Sequence, residues 1–306
     1  MTGRSAVASR SDLRASLAAV RGEGRFDEPL ARYTSMKIGG PADALVVPAD
    51  EEDLRAVLRA ARAARASVLV LGGTNVVVRD GGVAGVVIRL SALKAIRPAG
   101  PNRLYAEAGA LFPTLSHAAK DAGLAGLEFA CGIPGTVGGA IVMNAGTQDG
   151  EVADVLDRVR LMTPQGEIVE IPASKLGFRY RGSHLPPGIL LGATVVLKPG
   201  RVEAIDARMQ EILAYRRRTQ PLHLPNAGCI FKNPPRQSAG RLIDELGLKG
   251  HRIGAVQVSE RHANFMVNTG GGTAKELAAL IRHVGRRVER ERAITLELEV
   301  RLVGRA

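Results

Sequence analysis

Apolar and polar positions alternate at two periods along the chain, and the switches between them mark out short strands and helices. Tyr33–Ala42 carries two glycines and a proline and predicts a turn, and Asp43–Val47 then alternates as a strand. Asp50 is placed to cap a helix over Glu51–Arg65 whose first turn is acidic, as the helix dipole favours. The β-branched run Ser67–Leu71 predicts a buried strand ending in Gly72-Gly73-Thr74-Asn75, after which Val76–Val78 resumes as strand. Asp80-Gly81-Gly82 predicts a hairpin-type turn into a strand over Val86–Leu90. Leu104–Ala108 predicts a strand and Pro113–Ala122 a helix ended by Gly123. Val159–Met162 and Glu167–Ile171 flank a Pro164-Gln165-Gly166 turn as a hairpin, and Ile189–Leu197 predicts a buried strand. Pro199-Gly200 marks a domain boundary. Beyond it the pattern predicts helices over Val202–Arg217 and Ala239–Leu246, strands over Ile253–Val258 and Asn264–Val267, and a helix over Ala274–Arg290 capped by Thr273. The last strand, Thr295–Leu302, puts Glu297, Glu299 and Arg301 on one face and Leu296, Leu298, Val300 and Leu302 on the other.

One stretch fits neither period. Gly126–Gly146 holds six glycines and one proline, and it carries no charge from Phe129 onward. Its length approaches the roughly 18 apolar residues that begin to span a bilayer. The glycines and Pro134 break a helix about every third residue, however. A buried backbone turn is the better reading: each glycine permits positive φ and removes a Cβ, so successive N–H groups can converge on an anion. Gly138-Gly139-Ala140 would then pack against whatever is bound. A glycine-rich loop crossing a crowded core fits this stretch equally well. The GGTN loop is a second place where N–H groups can point at phosphate, although it is neither a Walker loop nor the GxGxxG fingerprint, and alone it reads as a tight turn. Two such loops, at 72–75 and 132–139, favour a phosphate-rich cofactor.

Composition narrows the class. A chain of 306 residues expects two or three domains, and 45% hydrophobic content with a mean hydropathy of +0.03 predicts a soluble globular protein. The N-terminus has interspersed arginines and no apolar run of signal-peptide length, so the expectation is a cytoplasmic protein without membrane insertion. Cys131 and Cys229 form no CxxC, and the six histidines form no HxxxH pair, so no metal site is indicated. Of the net charge of +12, residues 201–306 carry +8 (19 Lys+Arg less 11 Asp+Glu). That excess favours acidic ligands or nucleic acid, with solvated helix faces as the plainer account of most of the arginines. Four Tyr, six Phe and no Trp leave little for base stacking, which argues against nucleic acid.

Seven collinear motifs carry a resemblance: TSMKIGGPA (34–42), LGGTNVVV (71–78), LEFACGIPGTVGGAIVMNAG (127–146), FRYRGS (178–183), AGCIFKNP (227–234), AGRLIDELGLKG (239–250) and LELEVRLVG (296–304). Together they resemble the UDP-N-acetylenolpyruvoylglucosamine reductase family, in its compact subtype without an inserted tyrosine loop, given the short chain between Arg181 and Ile189. The resemblance implies an α+β fold: a two-part FAD-binding region of the vanillyl-alcohol-oxidase/PCMH type, followed by a C-terminal α+β substrate-binding domain. It implies an N-terminal extension (1–22), an FAD-binding region (23–200, lobes about 23–98 and 99–200) and a substrate domain (201–306). It also implies a monomer that uses FAD as cofactor and NADPH as co-substrate and reduces UDP-N-acetylglucosamine-enolpyruvate for peptidoglycan synthesis. Gly72, Gly73, Thr74 and Asn75 match the first FAD loop. Gly132, Ile133, Pro134, Gly135, Thr136, Gly138 and Gly139 match the second, with Asn144 and Gly146 close behind. Arg181 and Glu299 match catalytic positions, and Tyr180, Lys232 and Asn233 match substrate-binding ones. The family's proton donor is commonly a serine where this chain has Cys229.

The implied chemistry suits those residue types. Reducing an enolpyruvyl ether needs hydride at the methylene carbon and a proton at the carbon beside the carboxylate. FAD supplies the hydride, and the protein supplies position and electrostatics. An arginine can fork onto the carboxylate, a glutamic acid can help hold or protonate it, and a thiol of ordinary pKa about 8.5 can donate the carbon-bound proton. Without the resemblance, Arg181, Glu299 and Cys229 read as an ion-paired arginine, a surface carboxylate and a packed thiol. An FAD oxidase or dehydrogenase acting on an alcohol or hydroxy acid would explain the first 200 residues equally well, but not CIFKNP or the terminal ELEV.

Overall fold

A computed structural model describes residues 10–306, so residues 1–9 of the expected N-terminal extension lie outside the described part. The chain divides into two compact units. Among the described residues the first draws on 10–28, Ala42–Gly72 and Ala84–Ile212, and the second on Pro29–Pro41, Gly73–Val83 and Leu213–Ala306. The stretches 29–41 and 73–83, expected within the first FAD lobe, thus group with C-terminal residues.

In the first unit the helix Glu51–Ala63 starts where expected, with the Asp50 side chain accepting from the Asp53 N–H at 2.8 Å. It buries Leu54, Val57 and Ala61 on one face. Asp53 is itself buried and accepts from the N–H groups of Arg21, Gly22 and Ala49, which offsets the desolvation of its carboxylate. Leu13 and Leu17 are buried in the same core, so part of the expected extension packs into the unit.

A four-stranded sheet runs in the order Glu23–Pro29, Pro41–Val47, Val83–Ile88, Val68–Val70. Val68–Val70 corrects an expectation. It is an edge strand, paired parallel to Val86–Ile88 on one side only, and Val68 and Val70 are each 39% exposed. A β-branched run signals strand but does not say how many neighbours the strand has.

The second sheet of this unit is antiparallel, in the order Ile168–Pro172, Leu156–Met162, Ile189–Val196, Arg103–Glu107, Ile96–Pro98. Its first two strands are the expected hairpin. Arg160 forks onto Glu51 at 2.7 and 3.1 Å and reaches the Tyr105 hydroxyl at 3.1 Å, tying the helix Glu51–Ala63 to this sheet.

The second unit has its own core. The helix Ala274–Arg292 buries Leu277, Leu280, Ile281, Val284 and Val288, a stripe at helical spacing. It packs on a four-stranded antiparallel sheet ordered Asn226–Cys229, Phe265–Asn268, Val256–Val258, Arg252–Ile253. Thr273 caps it as expected, in a capping box with Glu276. Asp80 adds a second cap, its carboxylate accepting from the N–H groups of Ala274 and Lys275 at 2.8 and 2.9 Å.

Two strand expectations here are corrected. Ile253–Val258 is a hairpin, bent at Gly254, whose φ is +57°. The closing strand covers only Arg301–Val303. The residues before it change partners across a bend at Glu299 and Val300: Leu298 bridges to Phe231, and then Arg301–Val303 pairs in parallel with Val76–Val78. An alternating pattern reports which side is buried, not which strand it pairs with.

Candidate active site

The first unit holds the central glycine stretch. Its expected turn contains a short helix, Val137–Val142, capped by Thr136, whose Oγ1 accepts from the Gly139 N–H at 3.3 Å. Two glycines do not prevent a helix this short, because its ends are tied to the fold. The N–H groups of Val137 and Gly138 donate to Ala110 and Ala108 at 2.8 and 2.9 Å. A Cβ on Gly138 would lie 3.1 Å from the Ala108 Cβ, so the close approach to Ala108 needs this glycine. Gly146 is explained similarly, since its Cβ would lie 2.5 Å from the Glu151 Cβ across a short hairpin.

What remains is an open cradle. Among the described residues no acceptor meets the N–H groups of Gly72, Gly135 and Thr136. Gly135 has φ +119°, a conformation that L side chains rarely adopt. Cβ atoms built on Gly72 and Gly139 would find only the Thr136 Oγ1, at 3.7 and 3.5 Å. Gly72 and the second loop therefore meet around Thr136 and leave donors and space together, which fits a pyrophosphate. Gly132, Ile133 and Pro134 lead into this cradle from a 3-10 turn, Glu128–Gly132, in which Phe129, Ala130 and Cys131 are buried.

Asn144 is fully buried, with φ +41°. Its amide donates to the Arg179 carbonyl at 3.2 Å and its carbonyl accepts from the Ala153 N–H at 3.0 Å. Arg179 and Gly182 exchange two backbone hydrogen bonds, closing a two-residue turn with Tyr180 and Arg181 at its tip. Arg181 has φ +56°, and its guanidinium carbon lies 4.9 Å from the centre of the half-exposed Tyr180 ring.

The second unit gathers the other residues. The Asn75 amide donates to the Glu299 carbonyl at 3.0 Å, and its own carbonyl accepts from the Arg301 N–H at 3.0 Å. The Glu299 N–H donates to Ile230 at 2.8 Å, so the segment with Glu299 runs beside the one with half-buried Cys229. Lys232 pairs with Glu297 at 2.5 Å, and the Asn233 side chain accepts from the Ala239 N–H at 3.0 Å, at the start of the helix Ala239–Glu245 that Ser238 caps. Gly73 and Thr74 are fixed by Ser35, whose N–H donates to the Gly73 carbonyl at 2.8 Å and whose hydroxyl reaches the carbonyls of Thr74 and Asn226 at 3.2 and 2.6 Å.

Sequence reasoning did not single out Ser35, Asp80 or Asn264. Buried Asn264 clamps Phe231 from both sides, accepting from its N–H at 3.0 Å and donating to its carbonyl at 2.8 Å. The available signal was an asparagine at the head of the apolar run Phe265–Val267, buried where that residue type is usually depleted. Among the described residues no three His, Cys, Asp or Glu side chains come together to hold a metal.

Comparison with known proteins decides the family. A profile of the FAD binding domain matches residues 42–172, and one of the C-terminal domain of UDP-N-acetylenolpyruvoylglucosamine reductase matches residues 220–303. The reductase of Geobacter metallireducens is 46% identical over 289 residues, covering 94% of this chain and 96% of its own. The chain belongs to the UDP-N-acetylenolpyruvoylglucosamine reductase family. The reductase of Anaeromyxobacter dehalogenans is also 46% identical, over 99% of this chain and 90% of its own. The crystal structure of the Thermus caldophilus reductase superposes with a TM-score of 0.80 at 42% identity, covering 93% of this chain and 99% of that one. Like its family, the chain is an FAD-dependent oxidoreductase with an α+β fold, in which an FAD-binding domain precedes the family's C-terminal domain. No helix among the described residues is long and apolar enough to cross a membrane.

Proposed function

We propose that this chain reduces the enolpyruvyl ether of UDP-N-acetylglucosamine-enolpyruvate to UDP-N-acetylmuramate at the expense of NADPH, as a cytoplasmic monomer that binds no nucleic acid. Residues 23–200 hold FAD and residues 201–306 the UDP-sugar, with 1–22 as an extension. The observation that carries this reading is the open cradle of Gly72, Gly135, Thr136 and Gly139, in a chain whose Glu299 segment is bonded beside Cys229. When bound, FAD relays two electrons from NADPH as hydride to the methylene carbon of the substrate.

Arg181 presents a guanidinium fork to the substrate carboxylate and stabilises the negative charge that builds there. The Cys229 Sγ gives its proton to the carbon beside that carboxylate and regains one from solvent. Glu299 holds or protonates the developing enolate oxygen. Lys232, Asn233 and Tyr180 bind the UDP-sugar. The balance is one C=C bond reduced by a hydride and a proton, with NADPH oxidised to NADP⁺.

The test is product analysis. Purified protein with FAD, NADPH and the enolpyruvyl substrate should yield a species two hydrogens heavier, with one NADPH consumed per product. A flavin that is reduced by an alcohol or hydroxy acid and not by NADPH would favour the oxidase reading instead.

A further inference from the structure

Asn144 closely follows the second glycine loop, and by resemblance it would belong to the cofactor. Its geometry points elsewhere. Both ends of its amide are engaged by backbone: the donor by Arg179 and the acceptor by Ala153. The residue is fully buried, so the amide presents no exposed face to a ligand. The bond to Arg179 falls on the first residue of the turn that carries Arg181 two positions later. A second tie joins the same two segments, since the Ser183 hydroxyl donates to the Val142 carbonyl at 3.0 Å. The turn is therefore held at both feet by the end of the glycine-loop helix, while its tip is half-exposed.

We propose that Asn144 is a positioning residue for Arg181, assisted by Ser183, and not a ligand of the cofactor. Arg181 occupies a left-handed conformation that a non-glycine residue holds only when its surroundings over-determine it. The two backbone bonds across the turn fix its shape but not its place. The Asn144 and Ser183 bonds tie it to the glycine-loop helix, beside the main-chain bond from the His184 N–H to the Leu176 carbonyl at 2.7 Å. Losing the side-chain ties loosens the turn on the side of that helix, and a displacement of about 1 Å at a reacting centre can lower a rate by roughly 10²-fold.

This rests on the catalytic role proposed for Arg181, so the experiment separates the two. Holoenzyme carrying Asn144→Asp keeps an acceptor for Ala153 but, when ionised, cannot donate to Arg179. Its flavin content, visible spectrum and rate of flavin reduction by NADPH should match the parent. Its rate of flavin reoxidation by the enolpyruvyl substrate should fall roughly 10–100-fold. That rate should recover as pH is lowered, because the protonated carboxyl can donate to the Arg179 carbonyl again, an acid rescue absent from the parent. In the Arg181→Lys background the same substitution should slow reoxidation further by less than threefold or so, because the group it positions is already changed.

Loss of flavin from Asn144→Asp would make Asn144 a cofactor ligand and overturn the proposal. So would unchanged reoxidation while Arg181→Lys is slow. If Arg181→Lys itself reoxidises at the parent rate, the catalytic reading of Arg181 fails, and the positioning role fails with it. Should Asn144→Asp not fold, Ser183→Ala decides: at this half-buried site reoxidation should slow several-fold with flavin reduction unchanged, and parent-like reoxidation overturns the proposal.

Discussion

The Arg181 turn and the Glu299 segment are held by different kinds of bond. Outside its own two-residue loop the turn is tied by two side chains, the Asn144 amide and the Ser183 hydroxyl, beside one main-chain bond, His184 N–H to the Leu176 carbonyl at 2.7 Å. The Glu299 segment is held mainly by main chain: Glu299 N–H to Ile230, Lys232 N–H to Glu297 and Arg301 N–H to Asn75, with the Asn75 amide as one addition. A side-chain tie can be lost by one substitution, whereas a backbone ladder survives most of them. The turn also stores strain, since a left-handed arginine costs about 1–3 kcal/mol. The group proposed to bind the substrate carboxylate thus depends on side-chain ties, and the groups proposed to handle protons sit on a segment held mainly by main chain.

The difference can be broken or sharpened by substitution. The largest effect is expected at Cys229, on the rigid side, where a change should be purely chemical. Cys229→Ala should leave flavin reduction by NADPH near the parent rate and slow reoxidation by substrate by roughly 10²–10⁴. Cys229→Ser should recover much of it with an altered pH profile. Stopped-flow absorbance separates the two steps, and parent-like reoxidation in the alanine variant would reduce Cys229 to a packed residue. Arg181→Lys comes next: it keeps the charge but loses the planar fork, and reoxidation should fall roughly 10²–10³-fold. Near-normal turnover would remove Arg181 from the catalytic set. Gly139→Val fills the cradle with a branched side chain, and the variant should purify with little flavin, measured by absorbance after denaturation. Full occupancy would move the cofactor away from this loop.

Smaller effects probe the backbone-held side. Asn75→Ala removes one bond of the set around Glu299 and should slow reoxidation only a few-fold, since a single neutral hydrogen bond contributes about 0.5–1.5 kcal/mol. A loss as large as that expected of Asn144→Asp would erase the distinction between the two segments.

The smallest effect is on stability. Burial lowers the pKa of His262, whose Nδ1 accepts from the Asn264 N–H at 3.3 Å beside the clamp on Phe231. The unfolded chain, with an ordinary histidine pKa of about 6.5, then binds the proton more readily than the folded one. This contribution is fully present above about pH 6.5 and is lost as pH falls through the lowered folded value. The drop in Tm between pH 7.5 and 5.5 should shrink in His262→Gln, and an unchanged drop would assign the acid sensitivity to other groups.

What was legible in the sequence follows the same division. Caps and amphipathic faces are local, so Asp50, Thr273 and the stripe Leu277–Val288 were readable from spacing alone. The hairpin around Gln165 was readable from its turn residues. The cradle glycines were recognisable as a class, but Gly138 and Gly139 look alike in sequence. Only the position of Ala108 shows that the first is a packing glycine while the second faces open space. The partners of Asn144, at 153 and 179, were hidden for the same reason, since they are set by tertiary structure. The closing strand misled because alternation survives a change of partner, as at Val300 between the Phe231 bridge and the pairing with Val76.

The measurement that bears most directly on the account is an anaerobic flavin titration of the purified parent protein. NADPH should bleach the flavin bands, and one equivalent of UDP-N-acetylglucosamine-enolpyruvate should restore them. A flavin that resists NADPH, or that stays reduced when the enolpyruvyl substrate is added, would contradict it.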